Sequence, residues 1–447
     1  MPATSPVLWQ SQDCTVTLID IPRSIEAAQG TDDQPCEDHL LSTPPIEEPY
    51  QTNEPKTPEA RAKLARNTVD AELHAEYSVL LTDAMNQVQL GHSGSWCLPR
   101  PFTQDPPRTR KRKADKAAVS EAALLEPSDL PGTLLSQHAK KGLTSAHAEP
   151  EDFAGEFRNW AEDEDEEPIY DNYGHIDDKE TGNAAHVHQH HAPGPDKLTI
   201  YDSSDPAGKY AFRIPPQSSL SLSSCAWVRN FHARLRIQAE VLDIEPIFEF
   251  ILFDPPWPNS SVKRTHKTPN STYNLSDSLL DIESLVAGIR LSLLTTETTL
   301  VGVWITNSPA VRHQVLGEGG IFDIWELDLV EEWIWLKTTS AGQPVTPLDG
   351  VWRKPYEVLL LGRKKKEFMV AGRKTPLMRR VIFGVPDLHS RKPCLKRLIE
   401  PLMPDASKYR ALEVFARHLV AGWWSWGDEC IKFNWEEYWR EKEPRQK

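Results

Sequence analysis

Residues 248–257 read Phe-Glu-Phe-Ile-Leu-Phe-Asp-Pro-Pro-Trp, an apolar run that ends abruptly in an aspartate and two prolines. The run at 248–253 has the length and the aromatic, apolar composition of a buried strand. The two prolines stop the strand, because each lacks a backbone N–H and has a fixed φ. Asp254 is therefore predicted to lie at the carboxyl end of a strand, on a stiff loop. In open α/β sheets this edge is where ligands bind.

The residues of this loop suit the binding of an exocyclic aromatic amine. The Asp254 carboxylate and the carbonyls of Pro255 and Pro256 can accept hydrogen bonds from an amine, and the Trp257 ring can stack on a flat heterocycle. The alternative is a structural turn, since Asp before Pro is common in turns. The apolar strand directly before the loop and the polar residues at 259–264 favour a functional loop.

The second half of the chain predicts a layered α/β domain. From about residue 240 onward, apolar β-branched runs alternate with helical stretches over about 200 residues, a length that can bury one substantial core. Strands are predicted at 248–253, 299–306, 332–337, 357–361, 380–385 and 413–415, and helices at 276–292 and 392–402, with a short helical turn after residue 322.

Charge and cysteine usage restrict the class of protein. Of the 447 residues, 1–250 carry 22 Lys and Arg against 41 Asp and Glu, a net of −19, whereas 251–447 carry 28 against 24, a net of +4. The acidic balance therefore says little about the partner of the second half. Six scattered cysteines without a Cys-x-x-Cys pair indicate neither a zinc site nor a disulfide framework.

The first 196 residues are predicted to be a mostly disordered, low-complexity region with short ordered pieces. One strand is expected within 15–22 and one helix within 58–88. Residues 197–240 regain order signals and are predicted to pack, as an ordered lead-in, on the domain that follows.

Three polar segments of the first 196 residues have distinct compositions. Residues 108–116 form a basic cluster of the nuclear-localisation type, from which we expect a nuclear protein; the alternative is a solvated charge run. Residues 148–180 are strongly acidic. The histidines within 186–191 lie in a linker without carboxylate or thiolate company, so we expect no metal site.

Neither a signal peptide nor a membrane-spanning segment is predicted. The amino-terminal residues lack an apolar segment of the secretory type, and no run of about 18 apolar residues occurs. A reduced, intracellular, soluble protein is therefore expected.

The second half of the chain resembles the MT-A70 family of adenine-N6 methyltransferases, over roughly residues 240–440. Lys-Pro-Tyr-Glu at 354–357, Phe-Ala-Arg at 415–417 and Trp-Ser-Trp-Gly at 424–427 are most similar to the methyltransferase-like-four branch. The wider resemblance rests on Asp-Pro-Pro-Trp at 254–257, on Asn259, Ser261, Val262, Lys263 and Arg264, and on the segments 333–337, 355–363, 389–393, 413–417 and 422–429.

The resemblance implies an α/β, Rossmann-like domain that uses S-adenosylmethionine, at 241–440, followed by a short tail at 441–447. It implies a permuted motif order, in which the Asp-Pro-Pro-Trp strand comes first and the cofactor-holding segment comes last. The catalytic amine pocket would consist of Asp254, Pro255, Pro256 and Trp257.

The resemblance also implies a set of cofactor-binding residues. Lys392 would contact the cofactor carboxylate or a nearby acid, and Glu413 would face the ribose hydroxyls. Where the family commonly has Asn followed by Gln or Glu, this chain has Asp428 and Glu429. The full set is Asp254, Lys392, Glu413, Arg417, His418, Asp428 and Glu429.

The implied chemistry needs no metal. The methyl group of a sulfonium is already electrophilic, so the protein must mainly align the amine with it. Hydrogen bonds from the adenine N6–H groups to Asp254 and to the Pro255 carbonyl would draw N6 toward tetrahedral geometry. Trp257 would hold the ring by stacking, as in sites that bind an extruded base.

A basic stretch predicts contact with nucleic acid. Residues 353–397 hold 14 Lys and Arg against three acids, which suits a phosphate backbone; the alternative is a solubilising surface loop. The residues expected to contact nucleic acid are Asn259, Lys263, Arg264, Lys364, Lys365 and Lys366.

Three functions stay open at this point. The favoured one is N6-adenine methylation of RNA, since the resembled branch is associated with 2′-O-methyladenosine in a small nuclear RNA. The second is methylation of DNA adenine. The third is a catalytically silent nucleic-acid-binding subunit, which the retained Asp254, Lys392, Glu413 and Arg417 disfavour. A protein partner is also compatible with the sequence.

Overall fold

The computed structural model describes residues 5–51, 57–59, 70–102, 186–189, 194–201, 209–258, 279–350, 354–365, 377–388 and 391–441. The described strands are β1 Val7–Gln10, β2 Val16–Ile19, β3 His39–Leu40, β4 His186–Gln189, β5 Asp196–Tyr201, β6 Lys209–Ile214, β7 Ser219–Leu222, β8 Phe250–Phe253, β9 Leu300–Ile305, β10 Leu327–Lys337, β11 Tyr356–Lys364, β12 Met378–Gly384, β13 Ala411–Val414, β14 Trp423–Gly427 and β15 Trp439–Arg440. The described α-helices are α1 Ile21–Ala27, α2 Ala71–Gly91, α3 Val228–Val241, α4 Leu279–Ala287, α5 Pro309–Leu316, α6 Ile321–Ile324 and α7 Lys396–Ile399.

An eleven-stranded sheet organises the molecule, in the order β1-β2-β12-β10-β11-β9-β8-β13-β14-β7-β4. Its centre is a block of parallel neighbours, β9-β8-β13-β14-β7. The predicted α/β class is confirmed. In the sheet, β13 and β14 lie beside β8 although they come much later in the chain; the permuted motif order stays a prediction.

The connections of the sheet reverse direction between β8 and β13. The chain leaves β8 through α4 and enters β9 on one side, whereas it leaves β13 and enters β14 on the other side. Such a switch point creates a crevice outside the carboxyl ends of the two strands. The register pairs Phe253 with Val414, so Asp254 and Phe415 leave the sheet side by side.

Both faces of the central strands are covered. Every residue of β8, β9, β13 and β14 is buried, as expected for parallel strands between two helical layers. One face, which includes Phe253 and Trp426, packs against helices α2 to α5. On this face Phe231 of α3 stacks on Trp426 with the ring centroids 4.0 Å apart. The other face, which includes Leu252 and Trp304, packs against α1 and α7.

The strands predicted from the sequence of the domain are confirmed as β8 to β13. The long antiparallel pairing of β10 with β11 extends both strands beyond the predicted bounds. The helix predicted at 276–292 contains α4; its residues 276–278 lie outside the described part of the chain. The helix predicted at 392–402 is wrong in extent: residues 392–395 are irregular, α7 covers Lys396–Ile399, and a 3₁₀ turn that contains Pro401 follows.

The described parts of the first 102 residues belong to the same fold. The β1–β2 hairpin joins the main sheet through the parallel pairing of β2 with β12. The predicted strand at 15–22 stops at Ile19, because the Asp20 side chain accepts a hydrogen bond from the Arg23 amide at 2.9 Å and caps α1. Pro22 in the first turn also favours a helix start. The helix predicted at 58–88 overlaps α2, Ala71–Gly91, and its residues 60–69 lie outside the described part of the chain.

Only some of the other amino-terminal segments lie within the described part of the chain. Residues 186–189, expected to be linker, form the edge strand β4 against β7. The described amino-terminal pieces thus join the main fold, whereas the disorder predicted for most of residues 1–196 stays a prediction. The basic cluster at 108–116 and the acidic stretch at 148–180 lie outside the described residues. The domain limits at 197, 241 and 441 stay predictions.

Within the described ranges, no helix combines the length and the apolar character needed to cross a bilayer.

We expect Leu18→Ala to lower the free energy of unfolding of the whole domain by about 2–5 kcal/mol, because Leu18 is fully buried in the core beside the main sheet. Urea unfolding of the full chain measures this change. Leu90→Ala is the control, since Leu90 is 91% exposed and its truncation should change stability by less than about 0.5 kcal/mol. A Leu18→Ala variant whose main transition is unchanged would contradict the integration of β2 with the domain.

Candidate active site

Four alternating charges lie at the carboxyl edge of the sheet. Asp254 follows β8 as predicted, and its Oδ1 accepts a hydrogen bond from Lys392 Nζ at 2.6 Å. Lys392 Nζ also lies 3.5 Å from Glu357 Oε2, and the other oxygen of Glu357 lies 2.8 Å from Lys337 Nζ. Lys337 ends β10, and Glu357 lies at the start of the antiparallel β11, so both reach this edge. Lys392 therefore contacts a nearby acid, one of its two predicted partners.

Mutual attraction keeps Lys392 and Glu357, the middle two members of this row, charged. Burial favours the neutral form of Lys392, but Asp254 and Glu357 outweigh it and raise the lysine pKa. Burial likewise opposes the charged form of Glu357, but Lys337 and Lys392 dominate and lower its pKa to about 2. The row therefore presents a firmly held cation beside Asp254.

Glu413 behaves differently from the neighbouring Asp254. It pairs in register with Leu252 of β8, and its side chain is only 8% exposed. Burial, and after it the negative charge of Asp254, raises the pKa of Glu413 to about 8, with Lys392 acting in the opposite direction. Glu413 is therefore mostly protonated at neutral pH and can donate a hydrogen bond as well as accept one.

A small cavity of about 20 Å³ lies between these groups, lined by Asp254, Lys392, Glu413 and His418 among others. His418 is buried, and its Nε2 has no hydrogen-bond partner within the described ranges. Burial, followed by the charge of Arg391, lowers the pKa of His418 to about 4, so the ring is neutral. An unpartnered, buried ring nitrogen at a cavity is the kind of group that a ligand satisfies.

Arg417 and Glu429 hold two neighbouring loops together. They follow β13 and β14, which are parallel neighbours, and Arg417 Nε lies 3.8 Å from Glu429 Oε2. The other Glu429 oxygen lies 3.4 Å from Lys432 Nζ. Asp428 is half-buried, and its charge adds to the effect of burial in raising the pKa of the Cys430 thiol. Direct cofactor contact by Arg417, Asp428 and Glu429 stays a prediction.

The Asp-Pro-Pro-Trp loop is fixed by its own hydrogen bonds. The Trp257 amide donates to the Pro255 carbonyl at 2.8 Å, and Trp257 Nε1 donates to the Trp304 carbonyl at 2.6 Å. Trp257 is 6% exposed and belongs to the core, so the structure shows it anchoring the loop to β9. Its stacking on a base stays a prediction. Pro255 is buried, and Pro256 is half-buried.

The residues predicted to contact nucleic acid are only partly described. Asn259, Lys263, Arg264 and Lys366 lie outside the described residues. Lys364 and Lys365 leave the end of β11. Lys365 Nζ lies 2.8 Å from Asp323 Oδ1, whereas Lys364 forms no ion pair with any residue that the structure describes.

The predicted cationic belt at 353–397 needs correction. In the folded chain, acidic residues of other segments lie beside this stretch. Most of its described cations therefore form ion pairs. The pairs are Lys365–Asp323, Arg379–Glu332, Arg379–Glu76, Arg380–Glu331, Arg391–Asp387, Lys392–Asp254, Lys396–Glu400 and Arg397–Asp32. Much of the stretch therefore stabilises the fold.

Lys337, Glu357 and Trp304 were not identified from the sequence as residues of the site. Each lies within or at the end of an apolar strand, and a charged residue at the end of such a strand was the available signal for Lys337 and Glu357. Their approach to Lys392 depends on the sheet order, which the sequence pattern does not determine. Across the described ranges, no group of three or more His, Cys, Asp and Glu side chains could hold a metal ion.

The central part of the chain matches the model of a known protein family. The model of the MT-A70 family matches residues 248–429, which include both carboxylates of the crevice and Lys392. The matched range begins two residues before β8 and ends just after β14.

Three relatives carry names that describe N6 methylation. The chain is 29% identical to the N6-methyladenosine RNA methyltransferase MTA1 of Pyricularia oryzae over 98% of this chain and 96% of the relative. It is 31% identical to the N(6)-adenine-specific methyltransferase METTL4 of Mus musculus over 51% of this chain and 45% of the relative. It is 31% identical to a DNA N6-methyl methyltransferase of Caenorhabditis elegans over 52% of this chain and 56% of the relative. The chain thus spans about half the length of the last two.

We expect Glu413 to make stability depend on pH. The folded protein holds a proton on Glu413 up to about pH 8, whereas the ordinary pKa is 4.5, so the unfolded chain binds fewer protons between these values. The free energy of unfolding therefore loses this contribution as the pH rises from about 4.5 to about 8.

The Glu413→Gln variant cannot titrate at this position. Its stability relative to the wild type should therefore increase between about pH 5 and about pH 8. Urea unfolding at several pH values measures the difference, with Glu437→Gln, which replaces an exposed acid, as control. Parallel stability profiles of Glu413→Gln and the wild type would contradict the raised pKa.

Proposed function

The chain belongs to the MT-A70 family of methyltransferases, and we propose that it transfers a methyl group from S-adenosylmethionine to the N6 amine of adenine in RNA. The observation that carries the proposal is the position of Asp254. It lies at the switch point of the sheet, paired with Lys392, beside a cavity that Glu413 also lines.

The residues around the crevice fit S-adenosylmethionine. Glu413 lies near the end of β13, where an acid binds ribose hydroxyls in other nucleotide-binding sheets. His418 offers a buried nitrogen without a partner among the described residues, and Lys392 offers a cation for a carboxylate. When bound, the cofactor supplies an electrophilic methyl group on a sulfonium.

Asp254 can orient the amine. Its Oδ1 is occupied by Lys392, whereas its Oδ2 has no hydrogen-bond partner in the part of the chain that the structure describes. Oδ2 can accept a hydrogen bond from one N6–H. The Pro255 carbonyl, which accepts one bond from the Trp257 amide, keeps a second lone pair for the other N6–H. Both amine hydrogens are then fixed, and the nitrogen lone pair is directed away from them.

Asp254 does not need to be a strong base before the methyl group is transferred. N6 becomes acidic only as its bond to the methyl group forms, so its proton can pass to Asp254 Oδ2 or to water at that stage. Lys392 stabilises the charged carboxylate before transfer. The row from Lys392 through Glu357 to Lys337 keeps that lysine in place.

RNA is the substrate that the comparisons favour. The relative that aligns with 98% of this chain is named as an RNA methyltransferase, and 2′-O-methyladenosine is the finer proposal within that class. DNA adenine is the second candidate, because the Caenorhabditis elegans relative is named for DNA and matches 52% of the chain. A silent subunit is disfavoured, because Asp254, Lys392 and Glu413 converge on one cavity. We also propose a nuclear location, supported by the basic cluster at 108–116.

We expect Asp254→Ala to lower methyl transfer by at least about 100-fold, because the amine loses its acceptor and Lys392 loses its partner. Labelled S-adenosylmethionine is offered with matched oligonucleotides that contain adenosine, 2′-O-methyladenosine or deoxyadenosine. Label at N6 measures the reaction, and the preferred sugar identifies the substrate class.

The control for this experiment is Glu437→Gln, which changes an exposed carboxylate remote from the predicted nucleic-acid contacts in the sequence. It should retain wild-type turnover. Near-native turnover by Asp254→Ala would contradict the catalytic role, and faster transfer to deoxyadenosine than to either ribose form would overturn the choice of RNA.

We expect Lys364 and Lys365 to contribute unequally to binding of nucleic acid. Lys364→Gln should reduce the slope of log affinity against log salt by about 1, whereas Lys365→Gln should reduce it less, because Asp323 already neutralises Lys365. Titration of a labelled RNA at several salt concentrations measures both slopes. Equal slopes for wild type and Lys364→Gln would remove Lys364 from the binding surface.

A further inference from the structure

Residues 20–43, here called the N-terminal segment, contact both loops that supply the candidate site. One loop, described at residues 385–388 and 391–395, carries Lys392. The other, residues 415–422, carries Arg417 and His418. The N-terminal segment lies outside the range that the family model matches. Most of its contacts with the two loops are hydrogen bonds between buried groups, which are costly to leave unmade.

A closed ring of three hydrogen bonds joins the N-terminal segment to the loop at 415–422. Gln29 Nε2 donates to the Leu419 carbonyl at 2.8 Å, and Asn434 Nδ2 donates to Gln29 Oε1 at 2.8 Å. The Leu419 amide donates to Asn434 Oδ1 at 2.7 Å, which closes the ring. Gln29, Leu419 and Asn434 are exposed by 5%, 0% and 0%. Both backbone groups of the residue after His418 are therefore fixed by side-chain amides.

The loop at 415–422 has a backbone that needs such support. Phe415 has φ 62° and Gly422 has φ 78°, and the left-handed region is unfavourable for a phenylalanine. The Ala421 amide donates to the Ala28 carbonyl at 2.8 Å, a second bond from the N-terminal segment. A strained turn persists when its surroundings over-determine it, and here part of the surroundings comes from residues 28 and 29.

The same segment holds the loop that carries Lys392. The Cys394 amide donates to Ser24 Oγ at 2.9 Å, and the Thr43 amide donates to Asp387 Oδ1 at 3.0 Å. Arg391, directly before Lys392, pairs with Asp387 and donates to the Leu41 carbonyl at 3.0 Å. The two sides of the cavity are thus fixed to one segment from the other end of the chain.

We propose that Gln29 is a positioning residue of the cofactor site, which sets the loop at 415–422, and with it His418 and Arg417, for binding of S-adenosylmethionine. This inference rests on the proposed function. An amide is required at position 29, because the ring needs one donor and one acceptor on the same side chain. Leucine, of similar volume, leaves the Leu419 carbonyl and one Asn434 N–H without partners.

The test is binding of S-adenosylhomocysteine to the full chain by calorimetry, together with steady-state kinetics. Gln29→Leu should weaken binding by about tenfold and raise the KM for S-adenosylmethionine similarly, with kcat at saturation within about twofold of the wild type. The KM for the oligonucleotide should not change. A general loss of folded protein would instead lower kcat and leave both KM values alone.

Two matched variants separate positioning from stability. Gln10→Leu makes the same change in the same region, where Gln10 Nε2 donates to Thr17 Oγ1 at 3.0 Å, and it should bind S-adenosylhomocysteine like the wild type. Gln29→Met, whose flexible side chain of similar length also lacks the donor and the acceptor, should weaken binding as well. It provides the measurement if Gln29→Leu does not fold.

The outcomes are distinguishable. A wild type that binds S-adenosylhomocysteine, with Gln29→Leu or Gln29→Met binding equally well, overturns the inference and leaves the proposed function intact. A wild type that does not bind it overturns both. Weaker binding by the Gln29 variants, with wild-type binding by Gln10→Leu, supports the positioning role.

Discussion

The site depends on one electrostatic constraint, the presence of two carboxyl groups at the ends of adjacent parallel strands. Asp254 follows β8, and Glu413 lies on β13 beside it, where burial makes two negative charges unfavourable. Lys392 compensates one charge, that of Asp254, and Glu413 takes up a proton instead. This difference supports the roles proposed for the two groups: a charged acceptor for an amine, and a neutral carboxyl for hydroxyl groups.

The charge difference between Asp254 and Glu413 depends on the position of Lys392, and groups from several segments fix that position. Glu357 and Lys337 fix its ammonium group from the neighbouring strands. Arg391 and Cys394, on either side of it, are bound to residues 24–43. A methyl transfer that depends on alignment benefits from such fixed groups, because small displacements of reacting atoms are costly.

The sequence predicted those parts of the fold and site that depend on local pattern. An apolar run that ends in Asp-Pro-Pro is enough to place Asp254 at a strand end. The protonation of Glu413 depends on which strand lies beside β13, and the pairing of Lys365 depends on a distant Asp323. The contact of Gln29 with Leu419 spans 390 positions, and an isolated Gln in a loop gives no signal of it. Long-range pairing thus limited the sequence analysis.

The central claim is that the crevice between β8 and β13 binds the methyl donor with Asp254 and Glu413 in different roles. A crystal structure of the full chain with S-adenosylhomocysteine tests it most directly. We expect this structure to show the ribose hydroxyls within hydrogen-bond distance of Glu413 and the homocysteine end beside Asp254 and Lys392. Binding elsewhere, for example in the 280 Å³ cavity lined by Tyr77, Asn307 and Arg312, would contradict it.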